Sequence, residues 1–184
     1  MKSEPHPLFF IALLPDTGLQ SEVTAFKQYC ARHFGASHAL KSPPHITMVS
    51  PFRWQIDRLP VLAEALAEFS GQQTAFEIEL RDFGCFAPRV LFVDMVKNPN
   101  LEVLESKLAL ALEEKTGLKR KSGHGFHPHM TIAHRDLQER YFREAWAYFS
   151  KLEFRRSFQA KALTLLRHTG GKWGIETTFP FPEN

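Results

Sequence analysis

The amino-acid sequence contains an internal repeat, which strongly restricts the folds that the chain can adopt. The segment LFFIALLPDTGLQ, residues 8–20, aligns without a gap on VLFVDMVKNPNLE, residues 90–102, at an offset of 82 positions. Each segment is a short run of β-branched or aromatic residues followed by a turn-forming stretch, as is typical of a buried strand that leads into a helix. The repeat therefore indicates one structural unit used twice.

Helical periodicity follows both apolar runs. Asp16 or Thr17 is a suitable N-cap for the first helix, and Asn98 for the second. The residues expected on the buried faces of these helices are Val23, Phe26, Cys30 and Phe34 in the first, and Leu101, Leu104, Leu108, Ala111 and Leu112 in the second.

The later segments of the two halves also correspond. Helix-like stretches cover residues 57–69 and 137–149, and strand-like stretches cover residues 75–86 and 157–168. An additional strand, KWGIETTFPF, follows a turn at Gly170 and Gly171. Each half therefore reads β-α-β-α-β.

We expect a single domain of 184 residues with duplicated halves of about 8–88 and 90–181. The expected fold class is α+β, with two pseudo-symmetric lobes. In each lobe an antiparallel sheet is flanked by helices, and a central cleft separates the lobes.

The composition limits the classes of function. No apolar run approaches the roughly 20 residues of a membrane span. The net charge of +3 permits an anionic ligand without requiring one. Cys30 and Cys85 are the only cysteines, and both lie in apolar segments. We expect reduced, buried thiols in a cytoplasmic protein, since disulfides are rare in that compartment.

One motif occurs in both halves. PHITMV spans residues 44–49 and PHMTIA spans residues 128–133. From the composition of the chain, roughly 0.03 copies of Pro-His-x-Thr are expected by chance, so two copies are a strong signal. Strand alternation would place His45 and Thr47 on one face and repeat this arrangement at His129 and Thr131.

The residue types of this motif suit reaction at a phosphodiester. One imidazole can act as a base while a second acts as an acid. Threonine hydroxyls can donate hydrogen bonds to phosphoryl oxygens. Neither motif contains a carboxylate, which favours an anionic substrate, and the chemistry requires no metal ion or cofactor.

The paired motifs and the duplicated halves resemble the 2H phosphoesterase superfamily, and most closely its 2′–5′ RNA ligase and RNA 2′,3′-cyclic phosphodiesterase branch. The resemblance covers residues 8 to about 181. It implies two lobes around a V-shaped cleft, with catalytic residues His45, Thr47, His129 and Thr131. It also implies hydrolysis of a 2′,3′-cyclic phosphate on an RNA end or nucleotide, with 2′–5′ ligation as the reverse reaction. We expect a monomer that does not bind membranes.

The sequence departs from relatives near both motifs. After the first motif, SPFRW at residues 50–54 replaces the short apolar continuation of some relatives. Relatives often carry an Arg shortly after the second motif, whereas here His134 precedes Arg135. Arg135 is therefore a candidate substrate-binding residue. His127 is a second candidate because it shares the strand face of His129, and Phe52 is a third because it could stack on a base. Trp54, Phe86 and Phe92 could stack on a base, and the basic stretch 119–121 could contact phosphate.

Other interpretations remain open from the residues alone. The histidines at positions 124, 127, 129 and 134 invite a zinc site, but their spacing matches no standard zinc pattern and we expect no metal. The chain could instead be a binding module for a nucleotide or RNA end without turnover. It could also be an esterase for a small cyclic phosphate such as ADP-ribose 1″,2″-cyclic phosphate.

Overall fold

The computed structural model describes residues 6–119 and 125–183. These residues form four helices and eight strands. In chain order, they are β1 Leu8–Leu13, α1 Thr17–Phe34, β2 Ile46–Arg53, α2 Leu59–Ser70, β3 Phe76–Phe86, β4 Val90–Met95, α3 Pro99–Thr116, β5 Met130–Ala133, α4 Glu139–Phe149, β6 Arg155–Ala160, β7 Ala162–Thr169 and β8 Lys172–Pro180. Short 3₁₀ turns span His38–Lys41 and Ile56–Arg58.

The strands form two antiparallel sheets of four strands each, with orders β2-β1-β7-β8 and β5-β4-β3-β6. We call them the first and second sheets. The two halves of the sequence exchange strands between the sheets. Strand β3 ends the first half but pairs with β4 of the second, and β7 of the second half pairs with β1 of the first. The predicted α+β fold with paired antiparallel sheets is confirmed.

The helix ends are set by the predicted caps. The Asp16 carboxylate accepts a hydrogen bond from the Leu19 amide at 3.0 Å. The Asn98 side chain accepts from the amides of Asn100 and Leu101. Gly35 and Gly117 end α1 and α3 in the left-handed conformation, which glycine adopts without steric cost.

The helices cover one face of each sheet. Helix α1 packs against β5 and α4, whereas α2 packs against α3, β7 and β8, and α3 also contacts β2. Both predicted helix faces are buried or partly buried in the same hydrophobic core. In β1, Phe9, Ile11 and Leu13 belong to this core. Phe10 and Ala12 point to the opposite face of the sheet, where they pack with Leu166.

Some boundaries differ from the predictions. The segment 157–168 is not one strand, because β6 and β7 separate at Lys161 and enter different sheets. Helices α2 and α4 begin two residues later than predicted, at Leu59 and Glu139. Both cysteines are free, but Cys85 is only half-buried, since it lies near the end of β3. Within the described ranges, the helices are too short or too polar to span a membrane.

Candidate active site

The two motif histidines are held by the same local hydrogen bond. The Nδ1 atom of His45 lies 2.7 Å from the carbonyl oxygen of Pro43, and Nδ1 of His129 lies 2.8 Å from that of His127. A carbonyl can only accept, so each Nδ1 carries the proton and each Nε2 remains available to exchange one.

The proline in each motif explains why this hydrogen bond forms twice. Each acceptor carbonyl belongs to the residue that directly precedes a proline, Pro44 or Pro128. A residue before proline is restricted to extended conformations because the proline ring clashes with helical ones. This restriction favours the same extended backbone before both histidines, which places the acceptor carbonyl in the same position relative to each ring.

Each motif histidine also packs on a phenylalanine of the neighbouring strand. The ring centroids of His45 and Phe10 are 4.7 Å apart, and those of His129 and Phe92 are 4.9 Å apart. Phe10 and Phe92 occupy equivalent positions of the repeat, 82 residues apart. Gly84 lies opposite Phe92 in the β3–β4 pair, and a Cβ atom there would lie 2.3 Å from the Phe92 ring. The glycine therefore leaves the space that this ring occupies.

The electrostatic surroundings of the two histidines differ. Burial is the main reason why the pKa of His45 falls to about 4, and the charges of Lys27 and His129 lower it further. Burial also lowers the pKa of His129, but there the nearby carboxylate of Asp94 acts in the opposite direction and raises it. His45 therefore has the stronger preference for the neutral form.

The motif threonines lie beside the histidines as strand alternation predicts. Thr47 and Thr131 are half-buried, whereas the flanking Ile46 and Met130 are buried in the core. In the sheets, Thr131 pairs with Phe92, the phenylalanine that supports His129, and Thr47 pairs with Ala12, two residues after the Phe10 that supports His45. Each hydroxyl is thus placed close to its own imidazole.

A cavity of about 590 Å³ lies between β2, α3 and the chain that precedes β5. Its lining includes Thr47 of β2, Phe86 at the end of β3, and His129. It extends over apolar side chains toward α3, where Leu112 and the carboxylate-bearing Glu105 form part of the wall. The volume is within the range of small-molecule sites. His45, Thr131 and Arg135 are not among the described residues that line it.

The three candidate substrate-binding residues lie in different places. His127 is exposed, lines the cavity, and contacts Phe86 with ring centroids 5.1 Å apart. Phe52 also lines the cavity, but it is 8% exposed and packs in the core. Arg135 is exposed, has a left-handed backbone with φ 61°, and lies near enough to His38 for its charge to act on that ring, outside the lining of the cavity.

The aromatic candidates for base stacking are also separated by the structure. Phe86 is 40% exposed and borders the cavity. Phe92 is buried beneath His129, and Trp54 is buried with its indole NH donating to the Arg58 carbonyl oxygen. Phe86 is therefore the one of these three that a base could reach.

The basic and histidine-rich stretch before the second motif is only partly described. Lys119 lines the cavity, while positions 120, 121 and 124 lie outside the described residues. Among residues 6–119 and 125–183, no three His, Cys, Asp or Glu side chains are grouped so that they could hold a metal ion. His134 contacts His38 rather than His129.

Sequence reasoning missed a buried lysine behind the first motif. Lys27 of α1 is 1% exposed, and its Nζ donates to the carbonyl oxygens of Ala39 and Ser42 at 3.1 and 3.0 Å. Burial lowers its pKa to about 7. Lys27 thereby fixes the segment that leads to His45. The only sequence signal was a lysine on the apolar face of α1, four residues after Val23.

Comparison with known proteins identifies the family. The sequence model of the 2′-5′ RNA ligase superfamily matches residues 15–172, which include both motifs. The chain belongs to this superfamily. The resemblance to 2H phosphoesterases that the motifs indicated is thereby confirmed, and with it membership of a phosphoesterase family.

Curated relatives and solved structures agree with this membership. A Geobacillus sp. (strain WCH70) protein named "Putative phosphoesterase" is 23% identical over 92% of this chain and 93% of its own length. A protein of the same name from Bacillus cereus (strain G9842) is 26% identical over 66% of each chain.

Two crystal structures share the fold of this superfamily member. TT0787 of Thermus thermophilus has a TM-score of 0.69 at 17% identity, covering 95% of this chain and 97% of its own. E. coli LigT complexed with 3′-AMP has a TM-score of 0.67 at 20% identity, covering 98% of this chain and 100% of its own.

Proposed function

We propose that the protein is a phosphodiesterase that opens the 2′,3′-cyclic phosphate of an RNA end or nucleotide. The observation that carries this proposal is the matched pair of histidines, each with Nδ1 bound to a carbonyl and Nε2 available. Two such groups can take and give a proton in one reaction. The reaction run backwards would join a cyclic phosphate to a 5′-hydroxyl and form a 2′–5′ linkage.

The difference between the two histidines supports one assignment of roles. His45 has its pKa lowered to about 4, so at neutral pH it is a neutral base. Burial lowers the pKa of His129 as well, but the nearby carboxylate of Asp94 opposes part of that fall. We therefore assign the general base to His45 and the general acid to His129.

The hydrolytic step follows from these roles. Nε2 of His45 accepts a proton from water while the water oxygen bonds to phosphorus. The bond from phosphorus to one ribose oxygen breaks, and that oxygen takes the proton of His129 Nε2. The product is a phosphomonoester beside a free hydroxyl, and solvent returns each histidine to its initial state. The hydroxyls of Thr47 and Thr131 donate to the non-bridging oxygens.

The cavity supports a nucleotide as the substrate. Its apolar lining, which includes Phe86 and Phe126, can accept a base, and His129 and Thr47 in the same lining are available to the phosphate. The related fold of LigT is complexed with 3′-AMP in one crystal structure and with ATP in another.

The test is hydrolysis of an oligoribonucleotide that ends in a 2′,3′-cyclic phosphate, in the presence of EDTA. We expect conversion to a terminal phosphomonoester, with the 2′- or 3′-position read by chromatography, and no loss of rate on chelation. Binding of the oligonucleotide without turnover would instead favour a binding module. Turnover restricted to ADP-ribose 1″,2″-cyclic phosphate would favour a small-molecule esterase. Inactivation by EDTA would contradict a metal-independent reaction.

A further inference from the structure

A group of basic side chains near His45 is not used by the proposed reaction. The rings of His38 and His134 meet edge to face, with centroids 4.8 Å apart. His38 begins the 3₁₀ turn that leads toward His45, and His134 directly follows β5. This contact therefore joins the approach to the first motif with the exit from the second motif.

A third histidine, His168, is connected to His45 through a row of contacting aromatic rings. Phe10 contacts both His45 and Trp173, with centroids 4.7 and 4.6 Å apart. Trp173 in turn contacts His168 of β7, with centroids 5.0 Å apart. His168 is half-buried and lies close enough to His38 for its charge to act on that ring.

The charge around these histidines is mostly positive. The other charged groups of the described residues that act on His38 or His134 are Lys27, Lys41, Arg135 and the carboxylate of Asp136. The Oδ2 atom of Asp136 accepts from the amides of Ser37 and His38 at 2.9 and 2.8 Å, whereas its Oδ1 is buried without a hydrogen-bond partner among the described residues. It therefore holds the turn in place and offsets only part of the positive charge.

His134 has an unused polar atom in this group. Its Nδ1 is buried and has no hydrogen-bond partner among the described residues. A buried polar atom without a partner costs free energy, which an incoming acceptor or donor would recover. Burial lowers the pKa of His134 to about 4 and that of His38 below its ordinary value, so both rings are mainly neutral near pH 7, and a bound phosphate would raise both pKa values.

We propose that His38, His134, Arg135 and His168 form a subsite for a second phosphate group of the substrate, separate from the phosphate that reacts between His45 and His129. The inference rests on the proposed function, because it names the substrate class of the same cleft. The preferred substrate is then a nucleotide or RNA end with a further phosphate, rather than a nucleoside cyclic phosphate alone.

Two sources could supply this phosphate. It could be the 5′-phosphate of the nucleotide that carries the reacting group. It could also belong to the next nucleotide beyond a 2′–5′ linkage. The chemistry that recognises it is the same in both cases, namely imidazolium and guanidinium groups that donate to phosphoryl oxygens.

The experiment measures equilibrium affinities for two pairs of ligands by calorimetry at pH 6 and pH 8. The first pair is adenosine 3′-monophosphate and adenosine 3′,5′-bisphosphate. The second pair is adenylyl-(2′→5′)-adenosine without and with a 3′-phosphate. In one of the two pairs, we expect the ligand with the added phosphate to bind with about tenfold higher affinity at pH 6. The gain should shrink at pH 8, because phosphate binding that is coupled to proton uptake by the histidines becomes weaker as the pH rises.

The variants test whether this group produces the gain. His38→Asn combined with His134→Asn should reduce the gain to about twofold or less. Arg135→Asn should also weaken it, since asparagine tolerates the left-handed backbone at this position. His33→Asn is the matched control, because His33 is an exposed histidine that stacks on Tyr29 of α1.

The outcomes separate this inference from the proposed function. Equal affinities with and without the added phosphate in both pairs would overturn the subsite, even if cyclic phosphates are hydrolysed. A gain that survives in the double variant would also overturn it. A gain that depends on the cluster, together with no hydrolysis of any cyclic phosphate, would overturn the proposed reaction instead.

Discussion

His45 and His129 keep the same ring nitrogen, Nε2, available, because each donates its Nδ1 proton to the carbonyl oxygen two residues earlier, at 2.7 and 2.8 Å. The two rings also rest on phenylalanines at equivalent positions of the repeat. Duplication of one strand motif thus produces two proton-exchanging groups with the same tautomer. Their different charged neighbours then allow different roles.

Removal of the threonine hydroxyls should slow the reaction without unfolding the protein. Thr47→Val and Thr131→Val keep the branched shape that suits a strand, but they remove the donor to the phosphoryl oxygens. We expect each to lower kcat on a 2′,3′-cyclic phosphate by about 10²–10³. Thr177→Val, at an exposed position of β8, is the control. Full activity in both motif variants would remove the threonines from the mechanism.

The pH dependence of kcat/KM should be bell-shaped with its maximum below neutral pH. Activity requires neutral His45, so it should fall on acidification through about pH 4. Activity also requires protonated His129, whose pKa is lowered below the ordinary value, mainly by burial. It should therefore fall again before pH 7 is reached. A profile that still rises at pH 8 would contradict the acid role of His129.

Much of this site could be predicted from the sequence, because its signals are local. Alternation of buried and half-buried residues along β2 and β5 placed Thr47 and Thr131 correctly beside the histidines. The equivalence of Phe10 and Phe92 was also visible in the aligned repeat, although its role under the histidines was not recognised. Fold class and family followed from the same repeat and motif pair.

The remaining features depend on contacts between distant parts of the chain. The exchange of β3 and β7 between the sheets cannot be predicted from hydrophobic periodicity, because the same pattern allows either strand to pair with either half. The break at Lys161 is likewise set by the two sheets that β6 and β7 enter. His38 contacts His134 almost a hundred residues away, so neither could be assigned to a common site beforehand.

The buried Lys27 should make stability depend on pH. Its pKa is lowered from 10.5 to about 7 in the folded protein, mainly by burial. Between these values the unfolded chain binds more protons than the folded one, so the free energy of unfolding rises with pH. We expect denaturant unfolding to show this rise between pH 7 and pH 9, and Lys27→Met to lose much of it.

The control for this prediction is Lys107→Met, which removes an exposed lysine of α3 and should leave the pH dependence unchanged. Comparison of variants cancels the contributions of other groups that titrate in the same range. A rise in Lys27→Met equal to that of the wild type would show that Lys27 retains an ordinary pKa in the folded protein.

Gly84 should be intolerant of even a methyl group. The added Cβ atom of Gly84→Ala would lie 2.3 Å from the Phe92 ring, which must then move from beneath His129. We expect a loss of stability of about 1–3 kcal/mol and a lower kcat. Adding Phe92→Leu should recover stability, because the smaller side chain frees the space.

The control for Gly84 is Gly174→Ala in β8, where no atom lies within 4 Å of the added Cβ. This variant should keep both stability and activity near those of the wild type. If Gly84→Ala kept the wild-type kcat and stability, the Phe92 ring could adopt another position without cost, and it would not support His129.

The central claim is that His45 and His129 act together as base and acid. It is tested most directly by the turnover of a 2′,3′-cyclic phosphate in His45→Ala, His129→Ala and the double variant, with folding checked by circular dichroism. We predict that each single change lowers kcat by about 10²–10⁴, and that the double change costs little more than either one. Near-wild-type turnover in either single variant would contradict the two-histidine mechanism.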